Sequence, residues 1–155
     1  MNISDALRET CVITDLKGET KEEVLTELVS ALKEMGLIEN VEEAVKVILE
    51  REKLGSTGIG DGVAIPHGKM KNLQHVLCAF GRSAKGVAFG AVDGQPVHIF
   101  FLLLAPVEST GLHLKMLSRI SRIVRDASFR KKLMEQVDAP HVYKDIVEQD
   151  KKFSG

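Results

Sequence analysis

Two stretches in the first third of the chain repeat apolar residues every three or four positions. Val24, Leu25, Leu28, Val29 and Leu32 follow Thr20-Lys-Glu-Glu23, which reads as a helix-capping box, and the run closes at Gly36. Asn40-Val-Glu-Glu43 repeats the start signal, with Ala44, Val45, Ile48 and Leu49 as the apolar face of a helix that should fade near Lys53. Ahead of both, residues 11–16 read as a first short strand, and further strands are expected at 63–65, 75–80 and 98–105. The last of these is unbroken His-Ile-Phe-Phe-Leu-Leu-Leu-Ala, the pattern of a central strand covered on both faces. Residues 86–96 between the last two hold a short extended piece and a turn. The final third is helical, with one helix over about 112–125, a second from near Ser128 and a third after Pro140. Helices and strands mix without strict alternation. This predicts an α/β domain with helices on both faces of a sheet that need not be all parallel.

Composition narrows the picture by exclusion. With 155 residues, 44% hydrophobic and 28% charged, the chain is long enough for one respectable core and not comfortably for two. No repeat, low-complexity tract or linker divides it, so residues 1–155 are read as a single domain. The start has no basic and apolar leader, and the apolar run 97–106 is about half of what a membrane-spanning helix needs. A cytoplasmic protein without membrane insertion is expected. Cys11 and Cys78 form no CxxC pair and read as two buried, reduced thiols, with a disulfide as the alternative. The formal net charge is -1. Acidic residues prevail before position 60 and basic ones after it, which marks either two faces or mere chain order. Either way, nucleic acid is not the expected partner.

The densest chemical signal lies at 55–69, Gly-Ser-Thr-Gly-Ile-Gly-Asp-Gly-Val-Ala-Ile-Pro-His-Gly-Lys, which holds five of the 13 glycines. A phosphate-binding Walker loop requires Ser or Thr after Gly-Lys, but Met70 follows Lys69. A dinucleotide fingerprint requires a strand before the glycines and a helix after them, the reverse of the order expected here. What remains is a backbone held open for something to approach, or merely a tight helix-to-strand connection. Pro66 fixes its own φ and keeps Ile65 extended, so His67 departs at a defined angle, and Gly68 clears bulk beside the imidazole. Neutral imidazole is a competent nucleophile near pH 7. An exposed histidine beside a loop rich in N–H groups suits phosphoryl acceptance, the loop neutralising the phosphoryl oxygens while a ring nitrogen attacks in line.

Residues 51–69, from Arg51-Glu-Lys-Leu-Gly through Ile-Pro-His-Gly-Lys69, closely resemble the active-site signature of phosphotransferase-system IIA proteins of the fructose/mannitol type. The nitrogen-regulatory branch is especially similar. The resemblance continues through 89–97, the apolar strand ending at Pro106 and the helix opening at His113-Leu-Lys-Met-Leu117, and it covers nearly the whole chain. It implies a mixed sheet of about five strands between helices and a cofactor-free phosphoryl carrier. The acceptor would be His67, phosphorylated at Nε2 by a phosphohistidine on the small carrier HPr or its nitrogen-branch counterpart. It further implies His113 as a hydrogen-bond donor to the phosphoryl group, Arg51 as a nearby cation, and Ser56, Thr57 and Gly58 in the loop facing the phosphate. Downstream partners would be a IIB protein in sugar transport, or regulatory targets such as a transporter or sensor kinase.

Alternatives stand beside each reading. His75, His98 and His141 match no family role and read as structural or surface residues. Zinc held by His67, His98 and His113 lacks both helical ligand spacing and an accompanying carboxylate. The row Arg119, Arg122, Arg125 is either a solvated face or a docking stripe for a partner. Outside the family, the chain reads as a partner-binding module whose histidine is never modified.

Overall fold

The computed structural model describes residues 1–153. After a single 3-10 turn at Ile3–Asp5 come β1 (Leu7–Ile13), α1 (Lys21–Glu34), α2 (Val41–Glu52), β2 (Gly58–Gly60), β3 (Val63–Ala64) and β4 (His67–Met70). Then follow β5 (Leu77–Val87), β6 (Val97–Pro106), α3 (Thr110–Ile123), α4 (Ala127–Glu135) and α5 (Ala139–Lys152). The helix starts follow the local chemistry. The Thr20 side chain accepts from the Glu23 N–H and the Glu23 carboxylate returns the bond to Thr20, while Asn40, Asp126 and Asp138 cap α2, α4 and α5.

The strands form one mixed sheet of order β1-β5-β6-β3-β2, six strands in all because β4 also pairs with β6. β6 is buried along almost its entire length, as its unbroken apolar run requires. It pairs antiparallel with β5 along one edge and parallel with β3 and β4 along the other. α1 and α2 pack together over one face, and α3 and α5 over the other. Phe80 meets Phe101 and Phe89 meets Phe100 edge-on, at centroid separations of 5.0 and 5.6 Å.

Several boundaries differ from those read in the sequence. β1 starts at Leu7 and ends at Ile13, earlier than 11–16, because its parallel pairing with β5 begins at Leu7 opposite Cys78. β5 continues past 80 through polar residues, since Arg82 lies opposite Ile99 and its guanidinium donates to the Thr14 and Leu133 carbonyls. The sheet gains its sixth strand from the glycine stretch itself. Cys11 and Cys78 are free and fully buried, and burial pushes both thiols up, which disfavours the reactive thiolate.

Of the arginine row, Arg122 and Arg125 are exposed, while Arg119 is committed to the fold. Arg119 pairs at 2.8 Å with Asp150, whose other oxygen accepts the Ile3 N–H at 2.8 Å, and Arg122 donates to the Phe153 carbonyl. Asp150 is 3% exposed. Removing it leaves the Ile3 N–H without its acceptor and Arg119 without its counter-charge, held only by the Asn2 side chain at 3.1 Å. Asp150→Ala is expected to lower unfolding stability by about 3 kcal/mol in urea titrations, and Asp150→Asn by less because an acceptor remains for Ile3. Equal stability of Asp150→Ala and the wild type would contradict this role.

Candidate functional site

The glycine stretch is not an open loop but a β-hairpin. β2 and β3 pair antiparallel across Asp61-Gly62, with Gly60 opposite Val63. Both turn residues have positive φ, 56° and 76°, as a two-residue hairpin turn with the twist of the flanking strands requires. The hairpin leans on the 88–95 segment, where the Val92 N–H donates to the Gly58 carbonyl and the Asp61 N–H to the Asp93 carboxylate.

After the hairpin, the chain runs along β6 as one interrupted strand. Val63 and Ala64 lie opposite Ile99 and Phe100, and His67 through Met70 lie opposite Leu103 through Pro106. The interruption falls at Ile65-Pro66, where the proline has no N–H to give the ladder. The pairing resumes through the Pro66 carbonyl, which accepts from the Leu103 N–H at 2.9 Å. The Ile65 carbonyl turns toward the His67 ring instead, 2.8 Å from Nδ1. A carbonyl oxygen only accepts, so Nδ1 carries the proton and the lone pair of the neutral ring sits on Nε2. His67 therefore begins β4 rather than leaving a strand, and it is half-buried rather than exposed. Gly68 serves a different need from the one inferred for it. A Cβ there would come within 2.6 Å of Val47, so its absence lets β4 close against α2.

His113, in the first turn of α3, meets His67 edge-on, with ring centroids 5.3 Å apart and planes at 78°. It is buried, and its Nε2 finds no hydrogen-bond partner among the described residues. Burial holds its pKa down to about 4, and the neighbouring His67 ring and Lys69 ammonium push the same way. Burial also lowers His67, where the Ile65 hydrogen bond opposes the shift, Arg51 adds to it and Glu52 counters it. Two neutral imidazoles thus face one another near pH 7. Lys69 bonds Thr110 at 2.9 Å, tying β4 to the positive end of the α3 dipole.

The remaining residues singled out in the sequence lie around this pair with unequal freedom. Arg51, in the last turn of α2, acts electrostatically on His67 and donates from Nη1 to the Gly55 carbonyl at 2.9 Å. The Ser56 hydroxyl accepts the Gly58 N–H at 3.0 Å and lies 3.3 Å from the Phe89 carbonyl. Thr57 is buried, and both its N–H and its hydroxyl donate to Glu52. The N–H groups of Thr57 and Gly58 are thus already used inside the protein. Those two amides are therefore not free to cradle an anion, which the sequence reading expected of them. His98 bonds the Ser83 carbonyl through Nδ1, His141 sits in the first turn of α5 beside Asp138, and His75 is exposed in the β4–β5 loop. Among the described residues, no three His, Cys, Asp or Glu side chains gather closely enough to hold a metal ion.

Sequence reasoning passed over Glu52, a buried carboxylate at the end of α2, and Lys21, whose ammonium lies 3.8 Å from it and 4.4 Å from the centre of the Phe89 ring. Nothing in their local spacing signals the contact, because Lys21 arrives from another helix.

The family model for the phosphoenolpyruvate-dependent sugar phosphotransferase system, EIIA 2, matches residues 5–149. The chain belongs to this family. It is a phosphotransferase-system IIA domain, a phosphoryl carrier. The nitrogen regulatory protein of Bradyrhizobium diazoefficiens is 41% identical over 92% of this chain and 93% of its own length. The fructose-specific EIIABC component of Bacillus subtilis is 35% identical over 98% of this chain, which matches only 24% of that longer protein. The crystal structure of the nitrogen regulatory protein IIA-Ntr from Neisseria meningitidis superposes with a TM-score of 0.87 at 34% identity, covering 93% of this chain and 98% of that one. Among the described residues of this IIA domain, no helix is long and apolar enough to cross a membrane.

The two depressed imidazoles predict how stability responds to pH. Between about pH 6.5 and pH 4 the unfolded chain takes up a proton that folded His113 refuses, and His67 acts in the same direction. Stability is therefore unaffected above this window and falls as the pH drops through it. Urea midpoints measured across the window should decline less steeply for His113→Asn than for the wild type. Parallel declines would count against a buried neutral His113.

Proposed function

We propose that His67 is the residue that carries the phosphoryl group, bonded at Nε2. The Nδ1–H···O=C bond to Ile65 supports this assignment most directly, because it leaves Nε2 as the only ring nitrogen with a free lone pair. In the reaction, that lone pair attacks the phosphorus of a phosphohistidine on the donor, HPr or its nitrogen-branch counterpart. The Nε2–P bond forms as the donor's N–P bond breaks, and the bonding pair returns to the donor's ring. No proton need enter or leave. Positive charge develops on the His67 ring, and the Ile65 carbonyl is already aimed at the N–H that acidifies.

His113 supplies the hydrogen bond to the phosphoryl oxygens. Its burial beside His67 without a partner for Nε2 supports this role, since an orphaned polar atom is costly until a ligand satisfies it. Arg51 contributes positive charge on the α2 side. Ser56 and Gly58 shape the wall of the site. Thr57 does so from behind, its donors turned inward.

For the physiological role we favour regulation, in which modified and unmodified forms bind different targets such as a transporter or a sensor kinase. The nitrogen regulatory relatives, similar over nearly their full lengths, support it. The fructose-specific relative supports the second reading, delivery of the phosphoryl group to a IIB protein during sugar uptake.

With phosphoenolpyruvate, Enzyme I and the carrier, the wild type is expected to gain the mass of one phosphoryl group in an acid-labile linkage, and His67→Ala to gain none. His113→Ala should retain His67 yet slow transfer by about 100-fold, the scale of losing a transition-state hydrogen-bond donor. An acid-stable product, or labelling of His67→Ala, sinks the assignment. Transfer onward to a fructose-type IIB protein would favour the transport role, and no transfer the regulatory one.

A further inference from the structure

We propose that Glu52 is a positioning residue for phosphoryl transfer, its buried carboxylate setting both the shape of the segment before His67 and the balance of charge at the ring. The proposal rests on His67 as the acceptor. Glu52 is 8% exposed and is the last residue of α2. An anion at a helix C-terminus opposes the helix dipole, and burial adds a further cost unless its lone pairs are filled. Here they are filled from one place in the chain. Oε2 accepts the Thr57 N–H at 2.9 Å, with Oε1 at 3.2 Å from the same nitrogen, and Oε1 accepts the Thr57 hydroxyl at 2.6 Å. The Lys21 ammonium stands 3.8 Å away.

These contacts close residues 52–57 into a ring. Arg51 holds the same segment from its other side by donating to the Gly55 carbonyl. Two adjacent, oppositely charged residues at the end of one helix therefore grip the segment at two points. Lys21 extends the grip, since it also lies over Phe89, and the carbonyl of Phe89 meets the Ser56 hydroxyl. The shape before His67 is thus imposed from α1, α2 and the segment after β5, while the glycines merely permit it.

The charges divide in a way that suits transfer. Four groups act on His67: the His113 ring edge-on, the Ile65 carbonyl through a hydrogen bond, and Arg51 and Glu52 electrostatically. Arg51 favours the phosphoryl oxyanions and opposes a cationic ring. Glu52 does the reverse, favouring the ring as it becomes positive and repelling the oxyanions once they arrive. A carrier needs both, because it must accept a phosphoryl group readily and yet not retain it.

The test is rapid-quench phosphoryl transfer from phosphorylated carrier, together with an NMR titration of the His67 ring. Glu52→Gln keeps an acceptor for the Thr57 amide and removes the charge. It is expected to lose about tenfold in kcat with KM for the carrier within about twofold, and the His67 midpoint should move down. Glu52→Asp restores charge but not reach, so it should bring the midpoint back while transfer stays slow. Should Glu52→Gln not fold, Thr57→Val deletes one bond and keeps the charge. It should slow transfer about threefold or more, with the midpoint unmoved. Wild-type transfer in Glu52→Gln, or a change in KM alone, overturns the proposal. A wild-type protein that accepts no phosphoryl group overturns the His67 assignment and this proposal with it. Normal wild-type transfer beside an unaffected Glu52→Gln overturns this proposal alone.

Discussion

A missing N–H governs the site. Pro66 cannot give β6 the ladder bond that any other residue would offer, so the strand along that edge is cut into β3 and β4. The cut would be costly if the carbonyl before it were left unpaired in a buried strand. It is paired instead with the ring of the next residue but one. The bond to that carbonyl selects a tautomer, orients an imidazole and leaves a single ring nitrogen with a free lone pair. The buried central strand makes this dependable. Because β6 is held on its other edge by the long β5, the broken strand has a fixed rail on which to resume.

Around that nitrogen the protein uses burial more than charge. Desolvation is the largest influence on both histidines and keeps both neutral at pH 7. A neutral acceptor is nucleophilic, and a neutral partner can donate a hydrogen bond without pinning the phosphoryl group as a fixed cation would. In the proposed reaction the product resembles the reactant, one N–P bond exchanged for another. The protein then has no large energy difference to supply and needs only to lower the barrier between them.

Much of this was legible in the sequence. The capped helices and the buried central strand follow from periodicity and cap chemistry, whereas the meeting of His113 with His67 was implied only by the family resemblance. What escaped was the work of short-range words with long-range partners. Asp61-Gly62 is a hairpin signal, but flanked by so many glycines it read as an open loop. Gly68 seemed to clear space for its neighbour in sequence, whereas Val47 on α2 demands it. The family resemblance implied that Thr57 faces the phosphate. The carboxylate that claims its hydroxyl is five residues back and is made tolerable by Lys21 from another helix. Arg119 left the arginine row for the same reason, since its partner Asp150 is invisible to local spacing.

The clasp between Ile3, Asp150 and Arg119 has a further consequence for architecture. It brings the beginning and the end of the folded unit to one spot, so the domain can be entered and left by the same door. Such a unit can be spliced into a longer polypeptide, or tethered at either end, without pulling its ends apart. That suits a fold found both in proteins of nearly this length and as roughly a quarter of a much longer sugar-specific component. The covalent neighbours can change while the histidine pair stays as it is.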